Sequence, residues 1–426
     1  MNDIVERRER LFGKGAALFY REPLHIVRGD GVMLYDASGR EYLDMYNNVP
    51  CVGHANPHVV EAMSRQAGLL NVHSRYLHEG ILDYAERLLA HHPDNIESLV
   101  FACSGTEANE VAIMMARFAT GGRGIICTDA AYHGNSTEVR KLSRTRGLEA
   151  KGSEVRSIPF PQRYRPLAEG LDDAALTALY LERLEAVIRG FEADGIPLAA
   201  MLVCPILANE GLPDVPDGFM AKAAEMVHAA GGLMIADEVQ AGMCRTGTWW
   251  GYDVNRFVPD IVTMGKPLGN GMPLSAAAAS RDLVEKFRSE TRYFNTFASS
   301  PLQAAAGNAV LDIIEGERLW ENVSETGNYL LTRIRSTTQG CQQAGDVRGC
   351  GLFAAVEWVT DRTSKTPDME GAVTLANHLK DRGVLLGNAG ALGNVIKIRP
   401  PLVFTKTHAD RFLVAWEDSL RAMDVT

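Results

Sequence analysis

The sequence predicts an α/β protein with a large, mainly parallel sheet domain and a smaller α+β domain built from both chain ends. Three observations carry this. Short apolar runs alternate with helical patterns from about residue 60 to 310, strand-like pieces joined by turn residues fill residues 20–50, and strands and helices return after residue 343. At 426 residues the chain can hold two or three domains, each with its own core. The expected division is 1–60 as an N-terminal part of the small domain, 61–310 as the large domain, and 311–426 as the C-terminal small-domain part.

In chain order, the N-terminal piece REPLHIVRGDGVMLYDASGREYLDMY turns at Asp36–Gly39. The runs SLVFACSG, GIICTDAAYHG, AAMLVCP, GGLMIADEV and PDIVTMGK follow. Apolar strands of this kind, separated by helices, indicate a parallel sheet covered on both faces. After Ser104-Gly105-Thr106, the residues Val111, Met114, Met115 and Phe118 have the spacing of one helical stripe. Near the C-terminus, VRGCGLFAAVEW reads as a strand, residues 370–382 as a helix, and GVLLGN and NVIKIRPP as strand pieces. The final helix is expected to start at Thr407-x-x-Asp410 and to bury Leu413, Trp416 and Leu420.

The formal charge of −10 leaves no basic surplus to neutralise phosphates, which excludes a general nucleic-acid binder. The seven cysteines (Cys51, Cys103, Cys127, Cys204, Cys244, Cys341, Cys350) lie scattered without a C-x-x-C pair. They read as reduced thiols, not as a disulfide framework or a zinc site, and no metal is expected. The stretch MNDIVERRERLF lacks the apolar core of a signal peptide, and no run approaches the roughly 20 apolar residues of a membrane span. The expectation is a cytoplasmic protein with no membrane partner.

Four signals carry chemistry. Lys266 follows the apolar run DIVTMG and precedes a glycine-rich turn, at the carboxyl end of a strand where open α/β sheets place ligands. Asp237 ends another apolar run, and a carboxylate there needs a cationic or hydrogen-bonding partner, which a protonated ring nitrogen could be. Ser104-Gly105-Thr106 opens a helix, whose free N–H groups and positive dipole end suit a phosphate. Tyr132, with His133, follows GIICTD and could stack on a flat ring. Taken singly, a surface lysine, an N-cap or metal-ligand aspartate, a plain helix cap and a packed core tyrosine would explain each.

Their order makes the pattern specific. SGTEANE, AYHG, IADEVQAGMCRTG, DIVTMGKPLGNG and NTFASSP together resemble the class III aminotransferases, pyridoxal 5′-phosphate (PLP) enzymes of fold type I, from about Gly29 to the last helix. The resemblance implies a seven-stranded type of sheet in a PLP-binding large domain, with Lys266 carrying the cofactor and Asp237 facing the ring nitrogen. Tyr132 and Val239 would pack on the two ring faces, with His133 beside Tyr132, and Gln240 would bond the phenolic oxygen. Ser104, Gly105 and Thr106 would cup the phosphate. Thr296 would reach the phosphate of a neighbouring subunit, implying a homodimer or dimer of dimers with shared active sites.

Within the family, LHIVRGDGVMLYD, YLDMYNNVPCVGHANPHVV and NVHSRYLHEGILDYAERL resemble the branch of ethanolamine-phosphate and 5-phosphohydroxylysine phospho-lyases. Two departures accompany this. Lys397 stands where most class III aminotransferases have the carboxylate-gripping arginine of R-x-x-P-P-L, with Arg399 two residues on and so on the same strand face. CPILANEG, with Cys204, replaces a segment that usually begins with glutamate. The resemblance implies a small amine substrate whose phosphate is held by Arg75 and Lys397, with Asn47 and Asn48 at the entrance. The activity implied is elimination of phosphate and ammonia from a phosphorylated amino alcohol. The alternative is an ω-aminotransferase using pyruvate or glyoxylate.

Overall fold

A computed structural model describes residues 2–143 and 154–425 of the chain. Its centre is a seven-stranded sheet. The strands lie in the order Ser98–Ala102, Ser275–Ala279, Ile261–Met264, Leu233–Asp237, Leu198–Val203, Gly124–Thr128 and Val155–Ile158. Only Ser275–Ala279 runs against its neighbours; the other pairings are parallel. All five apolar runs read from the sequence become strands of this sheet. Residues of Leu198–Val203, Ile261–Met264 and Ser275–Ala279 are buried throughout, as strands covered on both faces must be.

Two smaller sheets flank it. Ile26–Asp30, Met33–Asp36 and Glu41–Asp44 form an antiparallel meander, and Val384–Leu385 adds in parallel to Glu41–Asp44, so both chain ends share one sheet. The turn at Asp36–Gly39 forms as expected: Asp36 Oδ1 accepts from the N–H groups of Ser38 and Arg40, and Gly39 takes φ +87°. The third sheet orders Ala344–Cys350, Phe353–Trp358, Val395–Ile398 and Gly387–Ala389, all antiparallel.

Three local expectations are corrected. VRGCGLFAAVEW is not one strand but a hairpin. Gly351 turns it with φ +55°, and a Cβ there would lie 2.5 Å from the carbonyl carbon of Thr246, so only glycine fits. On the helix Gly105–Thr120, Val111 and Met115 are buried but Phe118 is 40% exposed. Ala108, Ala112 and Ala116 complete the buried face, because this helix lies so close to the sheet that small residues pack there. The final helix, Lys406–Ala422, is capped by Thr405, whose partner in the capping box is His408, and not by Thr407. Leu413, Trp416 and Leu420 are buried as expected.

Candidate active site

The carboxyl ends of the parallel strands open onto one cavity. Lys266 and Asp237 line it with Gly105, Thr106, Tyr132, His133, Val239 and Gln240, which brings together most of the residues singled out in the sequence. Gly134, Cys204 and Asn209 complete the lining. Each side chain arrives by a strand end. Asp237 is the last residue of its strand and pairs in register with Thr263, three residues before Lys266.

The floor of the cavity is a fully bonded carboxylate. Asp237 is 5% exposed. Its Oδ2 accepts from His133 Nδ1 at 2.7 Å and Asn109 Nδ2 at 3.0 Å, and its Oδ1 accepts from Val239 N–H at 3.0 Å. Burial pushes the pKa of Lys266 below the ordinary lysine range, with the Asp237 charge opposing that shift. An ε-amine so placed spends more time unprotonated, the form needed for nucleophile and base chemistry.

One wall is a cradle for an anion. The helix Gly105–Thr120 begins here, with the Ser104 hydroxyl accepting from Glu107 N–H at 3.2 Å. Ser104 thus serves as the cap and does not line the cavity, whereas Gly105 and Thr106 do. A Cβ on Gly105 would sit 2.8 Å from Val239 Cγ1, and one on Gly134 (φ +146°) would sit 2.6 Å from Thr106 Oγ1. Close approach of backbone at a helix N-terminus is the geometry that accepts a phosphate.

Behind Gln240 lie two buried basic side chains. Lys397, on Val395–Ile398, and Arg399, just after it, are 5% and 9% exposed. Both donate to the same oxygen, Gln240 Oε1, at 3.1 and 2.6 Å. Lys397 Nζ also donates to Ala208 O at 2.6 Å, and the Arg399 guanidinium lies 4.4 Å from the Tyr46 ring centroid. Among the described residues neither cation is in an ion pair, and Arg399 Nε is buried without a hydrogen-bond partner. Burial, and then the Arg399 charge, hold the Lys397 amine well below its usual pKa. Glu210, buried nearby and bonded by Thr128 Oγ1, is shifted upward by burial. The segment presenting Ala208 and Asn209 is backbone-strained, with Leu207 and Leu212 at φ +49° and +55°. Asn209 bonds Gln240 Nε2 through its Oδ1 and donates to Tyr132 O, tying the two sides of the cavity together.

Other sequence candidates lie apart. Asn47 spends its amide on Asp44 Oδ2 at 3.0 Å, within a turn. Asn48 is buried with its Nδ2 unbonded, and neither asparagine lines the cavity. Arg75 does not join Lys397 around one anion within this chain; it is exposed, with its guanidinium 4.1 Å from the Phe294 ring centroid. Thr296, two residues from Phe294, is also exposed. Sequence reading missed Asn109 and Asn209. SGTEANE drew the eye to its glycine, and nothing local marks an asparagine as a bridge between strands.

The whole chain resembles known proteins. Residues 19–420 match the family model described as aminotransferase class-III. The chain belongs to the class-III aminotransferase family. An alanine–glyoxylate aminotransferase 2-like protein of Drosophila melanogaster is 35% identical, over 99% of this chain and 87% of its own length. An ethanolamine-phosphate phospho-lyase homolog 1 of Caenorhabditis elegans is 32% identical, over 99% of this chain and 94% of its own. The structure of a phospholyase from Arthrobacter in complex with phosphoethanolamine superposes with a TM-score of 0.95 at 39% identity, covering 99% and 100% of the two chains. This chain is a PLP-dependent enzyme with the α/β architecture of fold type I. The cavity fits that cofactor: a depressed lysine, a bonded carboxylate and a glycine-lined helix start surround one space. No helix among the described residues is long and apolar enough to cross a membrane.

Proposed function

We propose that the chain is a phospho-lyase that eliminates phosphate and ammonia from a small phosphorylated amino alcohol such as ethanolamine phosphate. The observation that carries this is the buried pair Lys397 and Arg399, which both bond Gln240 of the cavity lining and form no ion pair among the described residues. Desolvating one charge costs several kcal/mol, and doing so twice side by side is sustained where an anion arrives to share the site. A phosphate accepts from an ammonium as readily as from a guanidinium fork, whereas a carboxylate favours the fork. Lysine in place of the usual arginine therefore suits a phosphate.

Bound PLP supplies the electron sink conjugated to the amine-bearing carbon of the substrate. Around it, Lys266 would anchor the cofactor, and its amine, when unprotonated, would serve as the base for the proton on that carbon. Asp237 would pair with the protonated ring nitrogen, and Tyr132 and Val239 would pack against the ring. Gln240 has one amide N–H beyond its bond to Asn209 and offers it to the phenolic oxygen. Gly105 and Thr106 hold the cofactor phosphate. Lys397 and Arg399 stabilise the charge that gathers on the departing substrate phosphate.

The active unit is a dimer or a dimer of dimers. Support comes from an exposed apolar face beside Arg75 and Thr296: Leu77 is 98% exposed, Phe297 78% and Tyr76 64%. Apolar groups at that density mark an association surface. A second copy seated there would bring its Thr296 and Arg75 to this chain's cavity. The seven scattered cysteines, with no C-x-x-C pair, support a reducing, cytoplasmic setting.

The Drosophila relative supports a second reading, amino transfer to pyruvate or glyoxylate. One incubation separates the two. Holoenzyme with ethanolamine phosphate and no keto acid releases stoichiometric inorganic phosphate if it is a lyase. Rapid amino transfer to pyruvate, with no phosphate from any phosphorylated amine, makes it a transaminase.

A further inference from the structure

A single buried amide joins three of the segments that shape the cofactor cavity to the helix that opens its phosphate cradle. Asn109 is 0% exposed on the helix Gly105–Thr120, among Ala108, Val111 and Ala112. Asparagine is a poor helix former, and burying an amide is costly unless all its groups are bonded. Here they are. One side-chain N–H goes to His133 O at 2.7 Å and the other to Asp237 Oδ2 at 3.0 Å, while Oδ1 accepts from Thr263 Oγ1 at 2.6 Å. His133 O and Asp237 Oδ2 can only accept, so they fix which end of the amide faces Asp237, and the Thr263 hydroxyl, donating to the amide oxygen, holds it in that orientation. A flipped amide would set its oxygen against both the carboxylate and the His133 carbonyl.

We propose that Asn109 is a positioning residue for the cofactor, acting through Asp237 and itself oriented by Thr263. Its three bonds tie the helix that starts at the phosphate cradle to the turn bearing Tyr132 and His133. They also tie it to the strand ending at Asp237 and to the strand leading to Lys266. The inference rests on Asp237 meeting the ring nitrogen, as set out above. Asn109 then fixes the distance between the two ends of the cofactor, the phosphate at Gly105 and the ring at Asp237. Because Nδ2 and His133 Nδ1 both donate to Oδ2, they fix the carboxylate plane, with Oδ1 bonded only by Val239 N–H among the described residues.

The test uses the full-length holoenzyme and two near-isosteric variants, Asn109→Leu and Thr263→Val. PLP affinity is read by titrating the apoprotein, and the pH titration of the bound cofactor's near-visible absorption band is followed without substrate. Asn109→Leu is expected to weaken cofactor binding about ten- to hundred-fold and to shift the band's titration, since it leaves buried groups unmatched. Thr263→Val should do the same to a smaller degree. The double variant should bind the cofactor no more weakly than Asn109→Leu, since Thr263 acts through the amide. In turnover, kcat should fall while KM for the amine stays within about two-fold. A role in packing alone would lower thermal stability additively and leave the band unmoved. Should Asn109→Leu fail to fold, Thr263→Val decides. Wild-type affinity and band titration in a folded variant overturn the proposal. Asp237→Asn is the control: if it too leaves the band unmoved, the ring-nitrogen role has failed and the positioning role falls with it. If it moves the band and the Asn109 and Thr263 variants do not, the positioning role alone has failed.

Discussion

The floor and the far wall of the cavity treat charge in opposite ways. On the floor, Asp237 takes three hydrogen bonds from Asn109, His133 and Val239. Behind Gln240, Lys397 and Arg399 converge on one amide oxygen and form no ion pair among the described residues, with Glu210 the carboxylate whose charge reaches Lys397. A buried charge that is fully bonded stabilises the fold it sits in; two buried like charges left short of partners destabilise it. On the proposed reading, the floor holds the resident cofactor and the Lys397–Arg399 side receives the substrate phosphate. Stability has been given up on the wall for recognition, a common pattern at sites that must bind and release.

The largest effect expected on either side is at Lys266. Lys266→Ala should cut turnover by at least roughly a thousand-fold, the scale of a lost base plus a lost attachment point, with the protein still folded. Near-wild-type turnover would remove the floor from the account altogether. A charge placed on the exposed apolar face should come next. Leu77→Asp is expected to shift the assembly toward monomer in light scattering and to lower activity in proportion, because the cavity lacks Thr296 and Arg75 from its own chain.

On the wall, Arg399→Ala should raise KM for the phosphorylated amine about ten- to hundred-fold, as losing a charge-assisted contact of ~1.5–3 kcal/mol would. Lys397→Met sharpens the contrast, since methionine fills the same space without the charge. KM should rise about ten-fold while Tm rises by about 1–3 °C, whereas Asn109→Leu should lower Tm. A fall in Tm for Lys397→Met would erase the difference between the regions.

The smallest effect is with pH. Lys397 is held below the ordinary lysine range by burial and by Arg399, with Lys266 adding to the shift and Cys204 and Glu210 opposing it. A lysine depressed in the folded state costs stability while the unfolded chain keeps it protonated. That cost is full below the depressed pKa and fades as pH climbs to the unfolded value. Wild-type stability should therefore gain with rising pH across that window, while phosphate-amine affinity falls as the ammonium form is lost. Both slopes should flatten in Lys397→Met, as read by melting curves and KM at several pH values.

Much of the floor was legible in the sequence because its residues sit at strand ends, each marked by an apolar run of its own. Lys266, Asp237, Tyr132 and Gly105 come together for that reason, and the sheet follows from the same runs. What escaped depends on packing between distant segments. Asn109 has its meaning only through Thr263, His133 and Asp237, and Phe118 faces out because alanines took its place against the sheet. The hairpin at Gly351 was hidden because a glycine between apolar runs marks either a bulge or a turn. The resemblance of its segment to the phospho-lyase branch sets Arg75 with Lys397 on one phosphate, but within this chain Arg75 lies against Phe294 and outside the cavity lining. The strained Leu207–Leu212 segment, which hands Ala208 O to Lys397, has no sequence signal, since neither leucine favours a positive φ.

The central claim is that the unpaired cations select a phosphate. It is tested most directly by the ratio of kcat/KM for phosphate release from ethanolamine phosphate to kcat/KM for amino transfer from β-alanine to pyruvate, in wild type and in Lys397→Met. The account predicts a ratio far above one in wild type that drops about ten-fold or more in the variant, through KM of the phosphorylated amine. A wild-type ratio below one, or a ratio unchanged by removing the Lys397 charge, would contradict it.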